Sequence, residues 1–173
     1  MLDASKDGNP GTANAFRYGG FWCGVMTLLG DLGKGFLPVF LYCRYSGGLE
    51  LGPLCLAPVL AAPVLGHAFP IWHHFQGGKG IAATFGSLLG LLMQWRPVVL
   101  FALVFVFFSV VLRIDPHFYR TVVTYLVTLI LFILRCPTGV WAGFSLMTGV
   151  VLLRLHLSKE LRSKPAVKLL WMR

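Results

Sequence analysis

No Asp, Glu, Lys or Arg occurs in the run from Leu51 to Gly78. Its apolar part, about Pro53–Trp72, is long enough to cross a membrane, because about 30 Å of hydrocarbon at about 1.5 Å per helical residue requires roughly 20 residues. Five further stretches are predominantly apolar and are similar candidates. The sequence therefore predicts an all-α, polytopic integral membrane helix bundle with about six transmembrane helices, the other five being Gly19–Cys43, Ile81–Trp95, Pro97–Leu112, His117–Leu134 and Val140–Leu155.

The composition agrees with this fold class and excludes others. Of the 173 residues, 57% are hydrophobic and 12% are charged, whereas a soluble domain has about 25% charged residues. An ordinary soluble domain, a disordered chain and a disulfide scaffold are therefore excluded. The net charge of +9 favours the lipid bilayer over nucleic acid as the partner, because the basic residues lie between long apolar runs. The four cysteines form no CxxC pair and predict neither a metal site nor a disulfide framework.

We expect residues 1–173 to form a single membrane-embedded domain, with a glycine- and asparagine-rich arm at 1–18 and a basic tail at 156–173. Six spans place both ends on one side of the membrane. In that topology eleven basic residues lie on the side of the termini and three lie on the other side, so the positive-inside rule puts the termini in the cytoplasm. The polar, glycine-rich segments all fall on this side, which predicts a site formed by cytoplasmic loops and helix ends.

Two segments concentrate the features of an anion site. The first contains Gly8, Asn9, Gly11 and Asn14 and ends at Arg17. Glycines let backbone N–H groups converge on an anion, and the N-terminus of a following helix adds partial positive charge. A flexible N-terminal arm with a helix cap explains the same residues, and composition alone favours that simpler interpretation.

The second segment is the loop Gly77-Gly78-Lys79-Gly80, which opens directly into an apolar run. Three glycines around a lysine at the start of a helix predict a loop-to-helix cradle for an anion. The segment is not a P-loop, because Gly80 stands where a Ser or Thr is required. An ordinary cytoplasmic hairpin with a positive-inside lysine is the alternative. A metal site at His67, His73 and His74 is not supported by any spacing rule.

Asp31 and Lys34 lie three residues apart within an otherwise apolar span, and therefore on one helix face. Charges at membrane depth normally pair and face protein or a water-filled cleft, so we expect this pair to lie near a site. GxxxG spacing at Gly20–Gly24 and Gly86–Gly90 predicts helix packing. No HxxxxD, GxSxG, HExxH or GxGxxG motif is present. An enzyme of this sequence would therefore use cations and glycine loops on a phosphate-bearing substrate.

Three motifs, in this order, resemble the bacterial acyl-phosphate:glycerol-3-phosphate acyltransferase family, PlsY. After Leu92 the similarity is limited to hydropathy and to a tail match at His156 and Arg162. The resemblance implies an enzyme of the bacterial cytoplasmic (plasma) membrane that transfers a fatty acyl chain from acyl phosphate to glycerol 3-phosphate. The product would be lysophosphatidic acid for phospholipid synthesis. The motifs are Gly8-Asn9-Pro10-Gly11-Thr12-Ala13-Asn14 with Arg17, Asp31-Leu32-Gly33-Lys34-Gly35, and Gly66-His67-Ala68-Phe69-Pro70 with Gly77-Gly78-Lys79-Gly80.

The resemblance also implies roles for individual residues. It requires no covalent nucleophile, cofactor or metal. Arg17 and Lys79 are expected to bind substrate phosphate, and the glycine loops are expected to donate N–H groups to it. Asp31, Lys34 and His67 are expected to shape the site structurally. The expected phosphate-binding set, including two residues from the tail, is Gly8, Asn9, Gly11, Asn14, Arg17, Gly77, Gly78, Lys79, Gly80, His156 and Arg162.

The chain departs from the family pattern at several positions. Asp7 stands where the family has a serine before the Gly-Asn pair, Pro116 is nearest to another family serine, and Lys159 replaces an asparagine. The family usually has seven spans, so its first helix is expected to be absent here or to lie upstream. Two alternatives stay open: an inactive or redirected paralogue of the same fold, and a small phosphate or anion transporter. Transport would predict internal symmetry between the halves of the chain, which the sequence lacks.

Overall fold

The computed structural model describes residues 11–46, 53–92, 94–158 and 166–169. These residues form six helices, together with a 3-10 turn at Ile71–His73 and a π-helical turn at Phe107–Val111. The helices are α1 (Thr12–Tyr45), α2 (Pro53–Ala68), α3 (Ile81–Leu89), α4 (Trp95–Val106), α5 (His117–Arg135) and α6 (Thr138–Leu157).

Among the described residues, four helical segments are long and apolar enough to cross a membrane: Thr12–Tyr45, Cys55–His73, His117–Arg135 and Thr138–Leu157. A shorter apolar helical segment covers Trp95–Val111. The prediction of a helical membrane bundle with about six helices is therefore confirmed. One predicted span differs in length, because α3 has nine residues and is only about 14 Å long.

A short antiparallel ribbon is an addition that hydropathy did not predict. β1 (Leu112–Asp115) pairs with β2 (Ala166–Leu169), with Leu112 opposite Leu169 and Asp115 opposite Ala166. The ribbon brings the C-terminal tail to the connection between α4 and α5. Strands of four residues carry too little periodic pattern to be distinguished from loop in a sequence.

Helix α1 folds back on itself at Gly20. This residue has φ 84° and ψ 176°, a backbone conformation that is essentially restricted to glycine. In a straight helix, residues 12 and 31 would lie about 28 Å apart. Instead, Thr12 Oγ1 donates a hydrogen bond of 3.0 Å to Asp31 Oδ2, and the Phe16 ring packs against Gly24. Residues 12–19, here called the N-arm, therefore lie antiparallel to the rest of α1.

Glycines allow α1 and α3 to approach closely. A side chain at Gly35 would meet the Ala83 carbonyl oxygen, and one at Gly86 would meet the Leu32 carbonyl oxygen. Gly90 packs in the same way against Val39. Gly35 also approaches the Ser87 backbone nitrogen, so the contacts advance from Leu32 and Gly86 to Val39 and Gly90, and the two helices run parallel. The packing role predicted for Gly86–Gly90 is confirmed, and of the Gly20–Gly24 pair, Gly24 packs whereas Gly20 forms the bend.

An aromatic core joins α4, α5 and α6. The Phe101 ring lies 5.2 Å from the Tyr125 ring and 5.4 Å from the Phe144 ring, measured between centroids. The buried Tyr125 hydroxyl donates to Thr84 Oγ1 at 2.9 Å, and Thr84 Oγ1 donates to the Gly80 carbonyl oxygen at 2.9 Å. This chain of hydrogen bonds fixes the first turn of α3 against α5, and so sets the position of the glycine loop that precedes α3.

Candidate active site

A cavity of about 760 Å³ lies where α3 and α5 begin and the N-arm folds back. Its wall combines backbone at helix starts, charged side chains and apolar side chains. The lining residues come from α1 to α5: Gly11, Thr12, Ala13, Asn14, Arg17, Leu28, Asp31, Leu32, His67, Lys79, Gly80, Ile81, Ala82, Phe85, Leu89, Phe105, His117 and Arg120.

Three helix N-termini meet this cavity. Helix α1 begins after Gly11, α3 begins after Gly80 and α5 begins at His117, and all three of these residues line the wall. In the described chain, no side chain caps any of these helix starts. Uncapped N–H groups and the positive end of each helix dipole favour a negatively charged ligand. The convergence therefore indicates an anion site.

Three cationic side chains strengthen the positive potential. Arg17, Lys79 and Arg120 all line the cavity. Arg17 is exposed, Lys79 and Arg120 are half-buried, and the buried Arg120 Nε atom has no hydrogen-bond partner among the described residues. Asp31 also lines the wall, but its carboxylate lies 2.7 Å from Lys34 Nζ. The charges of the described lining residues therefore leave the cavity with a net positive character.

The buried carboxylate of Asp31 joins three parts of the site. Its Oδ1 atom lies 2.7 Å from Lys34 Nζ and 3.5 Å from His67 Nδ1, and its Oδ2 atom accepts the hydrogen bond from Thr12. The expected Asp31–Lys34 pair is confirmed. The His67 distance is a close approach without hydrogen-bond geometry, since Nδ1 has no hydrogen-bond partner among the described residues. Asp31 thus links the N-arm to α1 and places both beside the end of α2.

The glycine loop is held from behind by backbone contacts. The Gly77 N–H donates to the Ala68 carbonyl and the Gly78 N–H donates to the His67 carbonyl, each at 3.2 Å. Neither glycine lines the cavity wall. The expectation that these two N–H groups bind phosphate is therefore corrected: both are engaged by the end of α2. A side chain at Gly78 would also collide with the His67 ring, so glycine is required here by close packing.

Arg154 on α6 completes this support. Its Nε and Nη2 atoms donate to the Gly77 carbonyl oxygen at 3.1 and 2.8 Å. Arg154 falls within the predicted span Val140–Leu155, and Arg120 falls within the predicted span His117–Leu134. In the structure Arg154 contacts the glycine loop and Arg120 lines the cavity. Hydropathy places a residue along a helix but not around its axis, so it could not predict these contacts.

An apolar wall faces the same space. Leu28 and Leu32 on α1, Phe85 and Leu89 on α3, and Phe105 on α4 line it. The Phe85 and Phe105 rings lie 5.8 Å apart between centroids, at 76° to each other. From Ile81 to Leu89 the wall follows α3 for about 12 Å. A cavity with cations and helix N-termini beside such a wall matches an amphiphile that has an anionic group and a hydrocarbon chain.

The expected site residues differ in where they lie relative to the cavity. Gly11, Asn14, Arg17, Lys79 and Gly80 line the cavity, and the shaping residues Asp31 and His67 also line it. Gly77 and Gly78 support it from behind, whereas the exposed His156 on α6 is not part of the wall. Gly8, Asn9 and Arg162 lie outside the described residues.

Among the ionisable residues of the wall, sequence reasoning missed His117 and Arg120. They lie three residues apart directly after Pro116, and so on one face of the first turn of α5. That spacing behind a proline was visible in the sequence. The predicted span His117–Leu134 begins at the first of these residues and contains the second, so hydropathy assigned both to a membrane helix and not to a site.

The fold and the cavity define a class: a helical integral membrane protein with a positively charged cavity, bounded on one side by an apolar wall, where α3 and α5 begin. A family model described as glycerol-3-phosphate acyltransferase matches residues 2–163. Because this match covers most of the sequence, the chain belongs to the glycerol-3-phosphate acyltransferase family.

Individual relatives agree with this assignment. The glycerol-3-phosphate acyltransferase of Pseudomonas paraeruginosa (strain DSM 24068 / PA7) is 48% identical over 99 residues, which are 57% of this chain and 49% of that protein. The one from Thioalkalivibrio sulfidiphilus (strain HL-EbGR7) is 46% identical over 84 residues, which are 49% of this chain and 39% of that protein. The chain spans about half the length of the curated relatives it matches.

Two solved structures share the fold. The crystal structure of PlsY, an integral membrane glycerol 3-phosphate acyltransferase, in its glycerol 3-phosphate form has a TM-score of 0.72 and 23% identity, and the match covers 90% of this chain and 74% of that one. The lysophosphatidic acid form has a TM-score of 0.69 and 24% identity over 85% of this chain and 72% of that one. This likeness establishes a PlsY-like membrane fold.

Proposed function

We propose that this protein transfers a fatty acyl chain from acyl phosphate to glycerol 3-phosphate and so forms lysophosphatidic acid. The observation that carries the proposal is the cavity in which Arg17, Lys79 and three helix N-termini lie beside the apolar wall of α1, α3 and α4. Membership of the glycerol-3-phosphate acyltransferase family supports the acceptor. The acyl phosphate donor follows from the motif resemblance and fits a cavity suited to both phosphate and hydrocarbon.

The proposed reaction needs no covalent enzyme intermediate. A hydroxyl oxygen of glycerol 3-phosphate attacks the acyl carbonyl carbon, and a new ester C–O bond forms. The bond between the carbonyl carbon and the phosphate oxygen breaks, and its electron pair leaves with inorganic phosphate. The hydroxyl proton passes to a phosphate oxygen. Because the leaving group is already good, the task of the protein is positioning and charge stabilisation.

The electrostatic requirement is large enough to explain the composition of the site. Two doubly charged phosphates about 6 Å apart repel by roughly 11 kcal/mol at an effective dielectric constant of about 20. Arg17 and Lys79, with the N–H groups that begin α1 and α3, are proposed to offset this repulsion. Besides Arg17 and Lys79, three other residues expected to bind phosphate line the cavity: Gly11, Asn14 and Gly80.

The other expected residues take part less directly in this proposal. Gly77 and Gly78 support the loop through their contacts with α2. His156 and Arg162 are proposed, from the motif resemblance alone, to approach the substrates from the tail, as Gly8 and Asn9 are from the N-terminal segment. Lys34 shapes the site through its pair with Asp31.

We propose that the site faces the cytoplasm in the bacterial plasma membrane. The first and last described segments both lie on the site side, since Gly11 lines the cavity and β2 pairs with the strand that leads into α5. Trp22 and Trp72 are 73% and 89% exposed, as expected for aromatic anchors at a membrane–water interface. A site at this level admits a water-soluble acceptor and a membrane-bound donor.

The test is formation of lysophosphatidic acid by the purified chain in lipid nanodiscs. Wild type, given palmitoyl phosphate and glycerol 3-phosphate, is expected to form the product, and Lys79→Ala is expected to lower the rate by about a hundredfold or more. Arg113→Gln is the matched control, because Arg113 is 61% exposed and pairs with Asp115 on the ribbon. Well-folded wild type that forms no product would contradict the proposal and favour a redirected paralogue.

A further inference from the structure

The site contains a second cationic group that the proposed roles of Arg17 and Lys79 leave unused. His117 and Arg120 lie on the first turn of α5, and both line the cavity. The His117 ring is oriented by Thr121, whose Oγ1 lies 3.2 Å from His117 Nδ1 and donates to the His117 carbonyl oxygen at 3.0 Å. This group belongs to a different helix from the N-arm and from the glycine loop.

Arg120 carries a positive charge that the described part of the chain does not neutralise. Its Nε atom is buried and has no hydrogen-bond partner there. The two side-chain carboxylates among the described residues are already engaged: Asp115 pairs with Arg113 at 3.0 Å, and Asp31 pairs with Lys34 at 2.7 Å. A guanidinium with an unused buried donor in a cavity is suited to a phosphate, because its planar fork matches phosphate oxygens.

The position of Arg120 relates it to the apolar wall. The hydrogen bond between Tyr125 and Thr84 ties α5 to α3. Arg120 precedes Tyr125 by five residues and Gly80 precedes Thr84 by four, so both lie within about 8 Å of that bond along their helices. Phe105, at the end of α4 that leads into the α5 connection, lines the same cavity. The Arg120 side chain therefore lines the same cavity as the apolar wall.

We propose that Arg120, flanked by His117, binds the phosphoryl group of the acyl phosphate donor, while Arg17 and Lys79 bind the phosphate of glycerol 3-phosphate. This inference rests on the proposed function. Two phosphates in one cavity need separate partners, and the structure supplies cations from separate helices. Arg120 thus contributes to the binding of acyl phosphate and not to the binding of glycerol 3-phosphate.

The test measures the affinity of each substrate separately. The full chain in nanodiscs is titrated with a long-chain acyl phosphonate, a donor analogue that cannot transfer its acyl group, and independently with glycerol 3-phosphate. Arg120→Gln is expected to weaken acyl phosphonate binding by roughly tenfold to a hundredfold, the usual loss for a hydrogen bond to a charged group, and to leave glycerol 3-phosphate binding unchanged. Arg120→Lys keeps the charge without the fork and is expected to be intermediate. Arg113→Gln is expected to resemble wild type in both titrations.

Each outcome decides the inference. Unchanged acyl phosphonate binding in Arg120→Gln, or an equal or larger loss of glycerol 3-phosphate binding, would overturn it. If Arg120→Gln does not fold, the selective loss of acyl phosphonate affinity must appear in Arg120→Lys. Wild-type affinities for both compounds in Arg120→Lys would then overturn the inference. If the wild type binds neither compound, the proposed function itself is contradicted. If the wild type binds both compounds and Arg120→Gln binds them with the same affinities, only the role of Arg120 is contradicted.

Discussion

Single residues in this protein acquire their roles from partners that are distant in the sequence. Asp31 is the clearest case, because its two carboxylate oxygens contact Thr12, Lys34 and His67. The Asp31–Lys34 spacing was enough to predict the pair. The contacts to Thr12 and His67 were not predictable, because they depend on the bend at Gly20 and on where α2 ends.

Asp31→Asn tests this network. Asparagine keeps an oxygen that can accept from Thr12 but loses the ion pair with Lys34, so we expect the free energy of unfolding to fall by about 1–3 kcal/mol and the acyl-transfer rate to fall with it. Asp115→Asn makes the same chemical change in the partly exposed pair with Arg113, where about 1 kcal/mol or less is expected. Thermal unfolding in detergent, with activity measured in parallel, compares the two. Equal losses of stability and activity in the two variants would show that the contacts of Asp31 do not keep the site in place.

At the scale of elements, the N-arm is the least predictable part of the fold and the part on which the cavity most depends. The sequence predicted a span from Gly19 and a polar arm before it. The structure begins α1 at Thr12 and reverses it at Gly20. Glycine content alone cannot identify the bend, because Gly30 and Gly33 in the same helix meet no neighbouring atom and Gly35 packs tightly against α3. Their roles differ only through the backbone conformation and neighbours of each position.

Gly20→Ala is expected to weaken the bend. No atom lies within 4 Å of a Cβ at this position, so the cost is conformational and of order 1–3 kcal/mol. The N-arm would then detach more readily from Asp31, and the apparent affinity for glycerol 3-phosphate would fall. Gly30→Ala is the matched control, since it also places a methyl group in open space but in a helix, where alanine is favoured. The acceptor KM of both variants measures the effect, and matching values would argue against a functional role of the bend.

At the scale of the whole molecule, hydropathy predicted most of the fold and motif order predicted most of the polar wall. The predicted spans at 53–72, 117–134 and 140–155 agree closely with α2, α5 and α6. The short α3, the ribbon and the cavity role of Arg120 were missed, because each depends on packing between helices. The position of Lys79 at a helix start was predictable, since three glycines and a following apolar run define that start locally.

The orientation of the molecule gives a prediction at this scale. In a background without native cysteines, Arg113→Cys on the ribbon is expected to react with a membrane-impermeant maleimide only from the cytoplasmic face. Tyr45→Cys is expected to react only from the opposite face, because Tyr45 lies fourteen residues beyond Asp31 along α1 and is 76% exposed. Labelling of intact cells and of inverted vesicles distinguishes the two faces. Reversed labelling would place the site outside the cytoplasm and contradict the proposed localisation.

The central claim is that one cavity brings an acyl phosphate and glycerol 3-phosphate together for direct transfer. The most direct measurement follows inorganic phosphate and lysophosphatidic acid in the same reaction of wild type with palmitoyl phosphate. The account predicts that phosphate release requires glycerol 3-phosphate and equals the lysophosphatidic acid formed. Phosphate release at the same rate without glycerol 3-phosphate, or without a matching amount of lysophosphatidic acid, would contradict it.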